Sequence, residues 1–239
     1  MPVNNKYTIQ RRYIRRGNAR SGQKLVTSIP QFIVAHETAN NNADADDHFN
    51  YFNNQQPSAS AHTFIDDSKI LEIIPLDEKA WHVQYQVTRD NEMFGEDAND
   101  AAIGVELCRP GSFSQAYDRY VWYFAYLCRN YNLRPSDHIV AHSYLDPSRR
   151  SDPQSWLQPN GVSWSEFLND VQYYYDRWDV MGSVYKDVPD NHWAIDSIEQ
   201  MKELGIMSGY PDGTFGLGEA VTREEIAVIA DRLYRQLSS

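Results

Sequence analysis

Seven histidines are spread through the chain, and two of them follow short apolar runs of the kind that form buried strands. His36 comes directly after Phe32-Ile33-Val34-Ala35, and His142 directly after Ile139-Val140-Ala141. Ten residues beyond His142 stands Asp152, in Arg149-Arg150-Ser151-Asp152-Pro153. Two imidazoles at the ends of neighbouring strands plus one loop carboxylate would form a zinc site with an open fourth position. Water bound at such a site has its pKa lowered toward about 7. A competing pair, His138 and His142, has the i, i+4 spacing of a helical zinc motif, but Ile139 stands where that motif carries Glu. Ile-Val-Ala also reads as strand, where four residues would hold the two rings roughly 13 Å apart. That pairing is rejected.

Hydrolysis at such a site also needs a group to manage protons. Glu106 ends the apolar run Ile103-Gly104-Val105, with Cys108 two residues on. A carboxylate in those surroundings is costly to bury unless it is paired or functional. One reading makes it the general base that takes a proton from water and returns it to a leaving amine. The other makes it a salt-bridge partner of Arg109 or of an arginine near the N-terminus. Arg150 carries a fixed positive charge that could face a developing oxyanion, or could simply face solvent.

The elements that must position these groups are legible as periodicities. Strands are expected at 32–35, 61–65, 70–74, 102–107 and 139–141, with Asp66-Asp67-Ser68 as a hairpin turn. Tyr117, Tyr120, Val121, Phe124, Leu127, Cys128 and Tyr131 recur at helical spacing. So do Trp164, Phe167, Leu168, Val171, Tyr174, Tyr175 and Trp178, behind a Ser163–Glu166 capping box. A further helix over 43–54 would pack through Phe49 and Phe52. Strands alternating with helices predict an α/β or mixed α+β domain over 1–178, with a central mixed sheet flanked by helices.

After Trp178 the texture changes. Residues 179–183 read as a linker, followed by a small helical unit over 184–239. It comprises a helix bearing Trp193, Ile198, Met201 and Leu204, a turn-rich Gly209–Phe215 stretch, and a helix capped by Thr222 and Glu225. A unit this small has a thin core and is expected to associate with copies of itself or with its neighbour.

Composition narrows the function. Of 239 residues, 41% are hydrophobic and 23% charged, which excludes a disordered or collagen-like chain. The net charge of −11 argues against general nucleic-acid binding. Seven of the 22 basic side chains lie in residues 1–24, which hold no acid, leaving 15 bases against all 33 acids elsewhere. That basic leader could touch an anionic polymer or be a solvated surface. No apolar run nears the roughly 20 residues of a membrane span. No apolar stretch follows Met1–Lys6, so no secretory signal is expected. Cys108 and Cys128 are expected to be free, buried thiols.

Taken in order, Phe32–Asn40 with His36, Ser60-Ala61-His62, Ala80-Trp81-His82, Ile103–Leu107 with Glu106, and Ala141-His142 through Asp152-Pro153 resemble the zinc-dependent N-acetylmuramoyl-L-alanine amidases. The resemblance covers residues 8–178. It implies hydrolysis of the amide between the muramic acid lactyl group and L-alanine of peptidoglycan. It places the Zn2+ ligands on His36, His142 and Asp152 and the catalytic glutamate on Glu106. Many members carry Lys where this chain has Arg150; arginine cannot donate a proton at neutral pH, so only an electrostatic role carries over. Trp81 and His82 resemble the family's groove wall, and His62 lies on a strand close by. Substrate contact is implied for these three, with a packing role for Trp81 equally open.

Residues 184–237 resemble a single S-layer homology module, through Tyr185–Pro189, His192-Trp193-Ala194, Gly209–Phe215 and Thr222–Glu225. Such modules hold proteins on secondary cell-wall polysaccharides. The resemblance implies that Arg223 pairs with a ligand carboxylate, with Asp187 and Trp193 nearby. Thr222 and Glu225 serve equally as a helix cap, and Trp193 as core. The two resemblances imply a modular wall lysin of phage type, made in the host cytoplasm and acting on the wall after release. A host autolysin is the alternative within that chemistry. A non-catalytic peptidoglycan receptor is the rival from another class.

Overall fold

The computed structural model describes residues 5–178, 185–189 and 192–237. They fall into two compact units, Tyr7–Trp178 and a second that holds 185–189 and 192–237. The expected linker at 179–183 lies outside the described residues.

In the larger unit the strands are β1 (Ile9–Arg11), β2 (Phe32–Glu37), β3 (Thr63–Ile65), β4 (Ile70–Glu72), β5 (Ala102–Leu107) and β6 (Ile139–Ala141). The helices are α1 (Ala45–Gln55), α2 (Arg89–Phe94), α3 (Ala98–Ala101), α4 (Phe113–Tyr131), α5 (Pro135–His138), α6 (His142–Leu145), α7 (Gln154–Leu157) and α8 (Trp164–Asp176). The strands form one mixed sheet in the order β1-β4-β3-β5-β2-β6. Only the β3–β4 hairpin is antiparallel. The hairpin turns at Asp66, whose Oδ1 accepts from the amides of Ser68 and Lys69.

Every residue of β2 is buried, which is why its run Phe-Ile-Val-Ala is apolar without alternation. Successive side chains of a strand point to opposite faces, and β3 shows what each face meets. Thr63 lies 2.8 Å from the Tyr123 hydroxyl of α4, while Phe64 stacks on His48 of α1. The sheet is therefore sandwiched between α1 and α4. α1 opens with an Asp44–Asp47 capping box and packs Phe49 and Phe52 against Phe64, Leu71 and Ile73. α8 opens with the expected Ser163–Glu166 box.

The basic leader is solvent-exposed at Arg11, Arg12 and Lys24, yet its charges are ion-paired. Arg11 pairs with the buried Glu72 at 2.8 Å, and Arg20 grips the buried Glu78 at 2.7 and 3.0 Å. Arg12 pairs with Asp46 and Lys24 with Asp77. Its charges clamp the first segment to β4 and the turn beyond it.

In the smaller unit, α9 (Ile195–Glu203) and α10 (Arg223–Leu237) flank the turn-rich stretch. Its core is Tyr185, Val188, Ile195 and Ile198, edged by Ala194, Phe215 and Leu217. No side chain of α10 is buried.

Candidate active site

Parallel pairing brings the chemistry to one edge of the sheet. On β2 and β5, His36 stands opposite Glu106; on β2 and β6, Ala35 stands opposite Ala141. β6 ends at Ala141, so His142 emerges beside His36 at the carboxyl ends of the strands, where open α/β sheets place their ligands. The backbone amide of Ser143 donates to the Asp152 carbonyl at 2.8 Å, which folds the 146–152 loop back onto the strand end.

Three donor atoms converge there. His36 Nδ1 lies 3.0 Å from His142 Nδ1 and 3.1 Å from Asp152 Oδ2, and His142 Nδ1 lies 3.0 Å from the same oxygen. Donors held about 2.0–2.1 Å from a tetrahedral ion stand roughly 3.3 Å apart, so the spacing suits a small cation. All three residues are buried, and among the described residues this is the one group of His, Cys, Asp and Glu side chains gathered tightly enough to hold a metal. Burial, followed by the neighbouring His142, lowers the His36 pKa to about 4, so the ring is neutral at physiological pH. Burial raises that of Asp152, but hydrogen bonds to the two histidines outweigh it and hold the carboxyl below its ordinary value.

Glu106 faces the same cavity, of about 270 Å³, which is also lined by Phe52, Trp81, His82, Arg150 and Ser155. Its Oε2 is buried without a hydrogen-bond partner. Burial, reinforced by Asp152 and Glu37, pushes its pKa well above the usual carboxylate range. The salt-bridge reading of Glu106 fails: Arg109 is taken by Glu37, at 2.6 and 2.7 Å, and Arg11, Arg12 and Arg20 by other acids. Arg150 is exposed on the rim, near enough to Glu106 for its charge to draw that pKa part of the way back.

Trp81 and His82 line this cavity and a neighbouring one of about 630 Å³. The Trp81 indole N–H donates to the Asn18 carbonyl at 3.0 Å. His62 is not on the groove wall. It is fully buried, with Nδ1 accepting from the Gly104 amide at 3.0 Å and Nε2 donating to the Glu78 carbonyl at 2.8 Å. Both nitrogens are used, so it has none left for substrate.

Glu37 escaped the sequence reading. Its buried carboxylate binds Arg109, the Ser155 hydroxyl and the Ala39 amide, tying the end of β2 to α7. The available signal was an acid directly following His36 in an apolar strand.

In the smaller unit, the Asp187 carboxylate accepts from the amides of Phe215, Gly216 and Leu217 at 2.7–2.9 Å. It organises the turn. Trp193 is 67% exposed and is not core. Arg223 is exposed at the first turn of α10, and Thr222 and Glu225 form that helix's cap.

Fold and site together define an α/β protein with a metal-capable crevice at its strand ends. The chain belongs to the N-acetylmuramoyl-L-alanine amidase family, whose profile matches residues 26–155, and carries an S-layer homology domain matching 184–227. It is 36% identical over 179 residues to the N-acetylmuramoyl-L-alanine amidase BlyA of Bacillus subtilis, covering 70% of this chain and 46% of that protein. It is 30% identical over 146 residues to the amidase CwlH of the same organism, covering 59% and 53%. The chain thus spans about half the length of these curated relatives. Among solved structures, the catalytic domain of XlyA superposes with a TM-score of 0.56 at 28% identity, covering 69% of this chain and 99% of that one.

Proposed function

We propose that the chain is a zinc-dependent peptidoglycan hydrolase that cuts the amide between N-acetylmuramic acid and L-alanine, held on the wall by its C-terminal module. The observation that carries this reading is the meeting of three metal-capable donors with a carboxyl whose enclosed Oε2 has no partner, in one cavity.

His36, His142 and Asp152 would hold the ion, two imidazoles and one carboxylate, a donor set suited to zinc. A zinc ion held there would supply Lewis acidity, polarising a carbonyl and lowering the pKa of water toward neutrality. Glu106 takes the proton of the attacking water and delivers it to the departing amide nitrogen. Its desolvated setting raises its affinity for that proton. Arg150, on the rim, supplies fixed positive charge to the oxyanion and no proton. Trp81 forms groove wall beside the reacting bond.

The module raises the local concentration of enzyme at an insoluble substrate. Arg223 and Trp193, both exposed, are available to an acidic wall polysaccharide; Asp187 serves them only by shaping the turn. Peptidoglycan lies outside the membrane, so the protein acts after leaving the cytoplasm, in the manner of a phage lysin. The module also pairs with a second copy of itself. Ile226, Ala230, Leu233 and Leu237 line one exposed face of α10, and a helix this amphipathic needs that face covered.

The test is digestion of purified Gram-positive walls. New L-alanine amino termini should appear without new reducing sugar ends, and a zinc chelator should stop their release. New reducing ends, or chelator-resistant cleavage, would overturn the reading.

A further inference from the structure

A neutral imidazole carries one proton, so a histidine that gives its Nδ1 lone pair to a metal must carry the proton on Nε2. When that N–H is buried it needs an acceptor, or the ring loses a hydrogen bond and is free to turn. His36 meets this requirement through another histidine. Its Nδ1 faces His142 and Asp152, while its Nε2 lies 3.0 Å from His82 Nδ1. The two rings are perpendicular, with centroids 5.2 Å apart.

His82 is itself held with little freedom. Its backbone N–H and that of Val83 both donate to Asn99 Oδ1, at 2.8 and 3.0 Å, and the Asn99 amide donates back to the Val83 carbonyl at 2.6 Å. The ring lies over Gly104 of β5, where a Cβ would come 2.6 Å from His82 Cγ. Only the glycine in that strand leaves room for it. His142 Nε2 is buried without a partner, and so is His82 Nε2, the nitrogen that must carry the His82 proton when its Nδ1 accepts, so the relay ends at His82 and packing over Gly104 holds that ring.

We propose that His82 is a positioning residue for the metal site: its Nδ1 accepts from His36 Nε2–H and fixes the His36 tautomer and ring plane with Nδ1 toward the ion. This rests on the metal-amidase reading and reassigns His82 from substrate contact to ligand support. Asn99 and Gly104 complete the device by fixing the backbone and the floor beneath the ring.

The experiment uses the full chain in three forms: wild type, His82→Ala and His82→Gln. Long-range 1H–15N spectra of the zinc-free proteins report the His36 tautomer, and competition with a chromophoric chelator reports zinc affinity. The expected results are an Nε2–H tautomer in wild type, a tautomer mixture in His82→Ala, and zinc affinity weakened about 10- to 100-fold in that variant. His82→Gln, which keeps an acceptor oxygen, should recover part of the loss. The inference is overturned by an Nδ1–H tautomer in wild type, a measurement that needs no variant to fold. It is equally overturned if a folded His82→Ala binds zinc within twofold of wild type. Should wild type bind no zinc at all while His36 still shows Nε2–H, the metal reading fails and the His36–His82 hydrogen bond survives.

Discussion

His36 on β2 and Glu106 on β5 are register partners on adjacent parallel strands. A ligand candidate and a candidate proton acceptor are thereby set side by side by backbone hydrogen bonds rather than by loops. Glu106 is half-buried, and its enclosed Oε2 has no hydrogen-bond partner, which stabilises nothing in the resting fold. Glu106→Gln should therefore lower turnover on purified walls by about 10²- to 10⁴-fold while zinc content stays stoichiometric and thermal stability stays equal or rises. A fully active Glu106→Gln protein would show that the proton moves by another route.

Gly104 occupies the point where two histidines meet β5. Its amide donates to His62 Nδ1, and its missing side chain is the space that His82 fills. The contact is to the base of the His82 ring, which cannot swing aside as a long flexible chain could. Gly104→Ala should destabilise the protein by about 1–3 kcal/mol through overpacking and weaken zinc binding with it. Thermal unfolding and a chelator competition measure the two effects. An alanine variant with unchanged melting and unchanged affinity would mean the ring has more room than the geometry allows.

His62 should make folding acid-sensitive. Its two nitrogens are matched to a backbone donor and a backbone acceptor, an arrangement that only the neutral ring satisfies. Burial chiefly lowers its pKa, to about 4. Below about 6.5, the ordinary histidine value, the unfolded chain binds a proton that the folded chain refuses. Stability is thus full above that pH, falls as pH drops toward 4, and levels off below. The loss from this residue is at most about 3 kcal/mol. Urea unfolding across that window in chelator-containing buffer, wild type against His62→Gln, isolates the contribution. Equal slopes for the two proteins would exclude it.

Much of this site was legible because strand ends and ligands coincide. Phe32–Ala35 and Ile139–Ala141 are apolar on both faces, so a polar residue at the close of each stands out. Asp152 was reachable only by its distance from His142 and by resemblance, since loop geometry leaves no periodic trace. The short strand Ile9–Arg11 was not readable at all: three residues long and mostly exposed, it is held by pairing with β4 and by the Arg11–Glu72 contact. His62 and His82 look alike as single histidines in apolar company. What separates them is which backbone groups face each ring, a fact of register.

Glu37 and Arg109 offer a contrast in the value of ion pairs. The Glu37 side chain is 1% exposed and its partner 18%, against 38% and 48% for Asp46 and Arg12. Arg109→Ala would leave a buried carboxylate with only the Ser155 hydroxyl and the Ala39 amide, and should cost about 3–5 kcal/mol. Arg12→Ala should cost less than about 1 kcal/mol. Denaturant unfolding of both variants decides the matter. If the two cost the same, burial is not what sets the strength of the Glu37 pair.

The last prediction concerns α10, a 15-residue helix that contributes no residue to the core of its own module. An isolated helix of about that length is marginal in water, so its stability must come from a covered apolar face. Ile226 is 56% exposed, Leu233 39% and Leu237 87%, on one side of the helix. An antiparallel pair would bury these residues against their counterparts around Ala230, whose small side chain allows close approach at the crossing. Sedimentation equilibrium of the full chain should give a dimer at micromolar concentration, and Leu233→Glu should give a monomer with lower helix content. A wild-type monomer with α10 intact, as reported by hydrogen exchange, would mean that something other than a second copy covers this face.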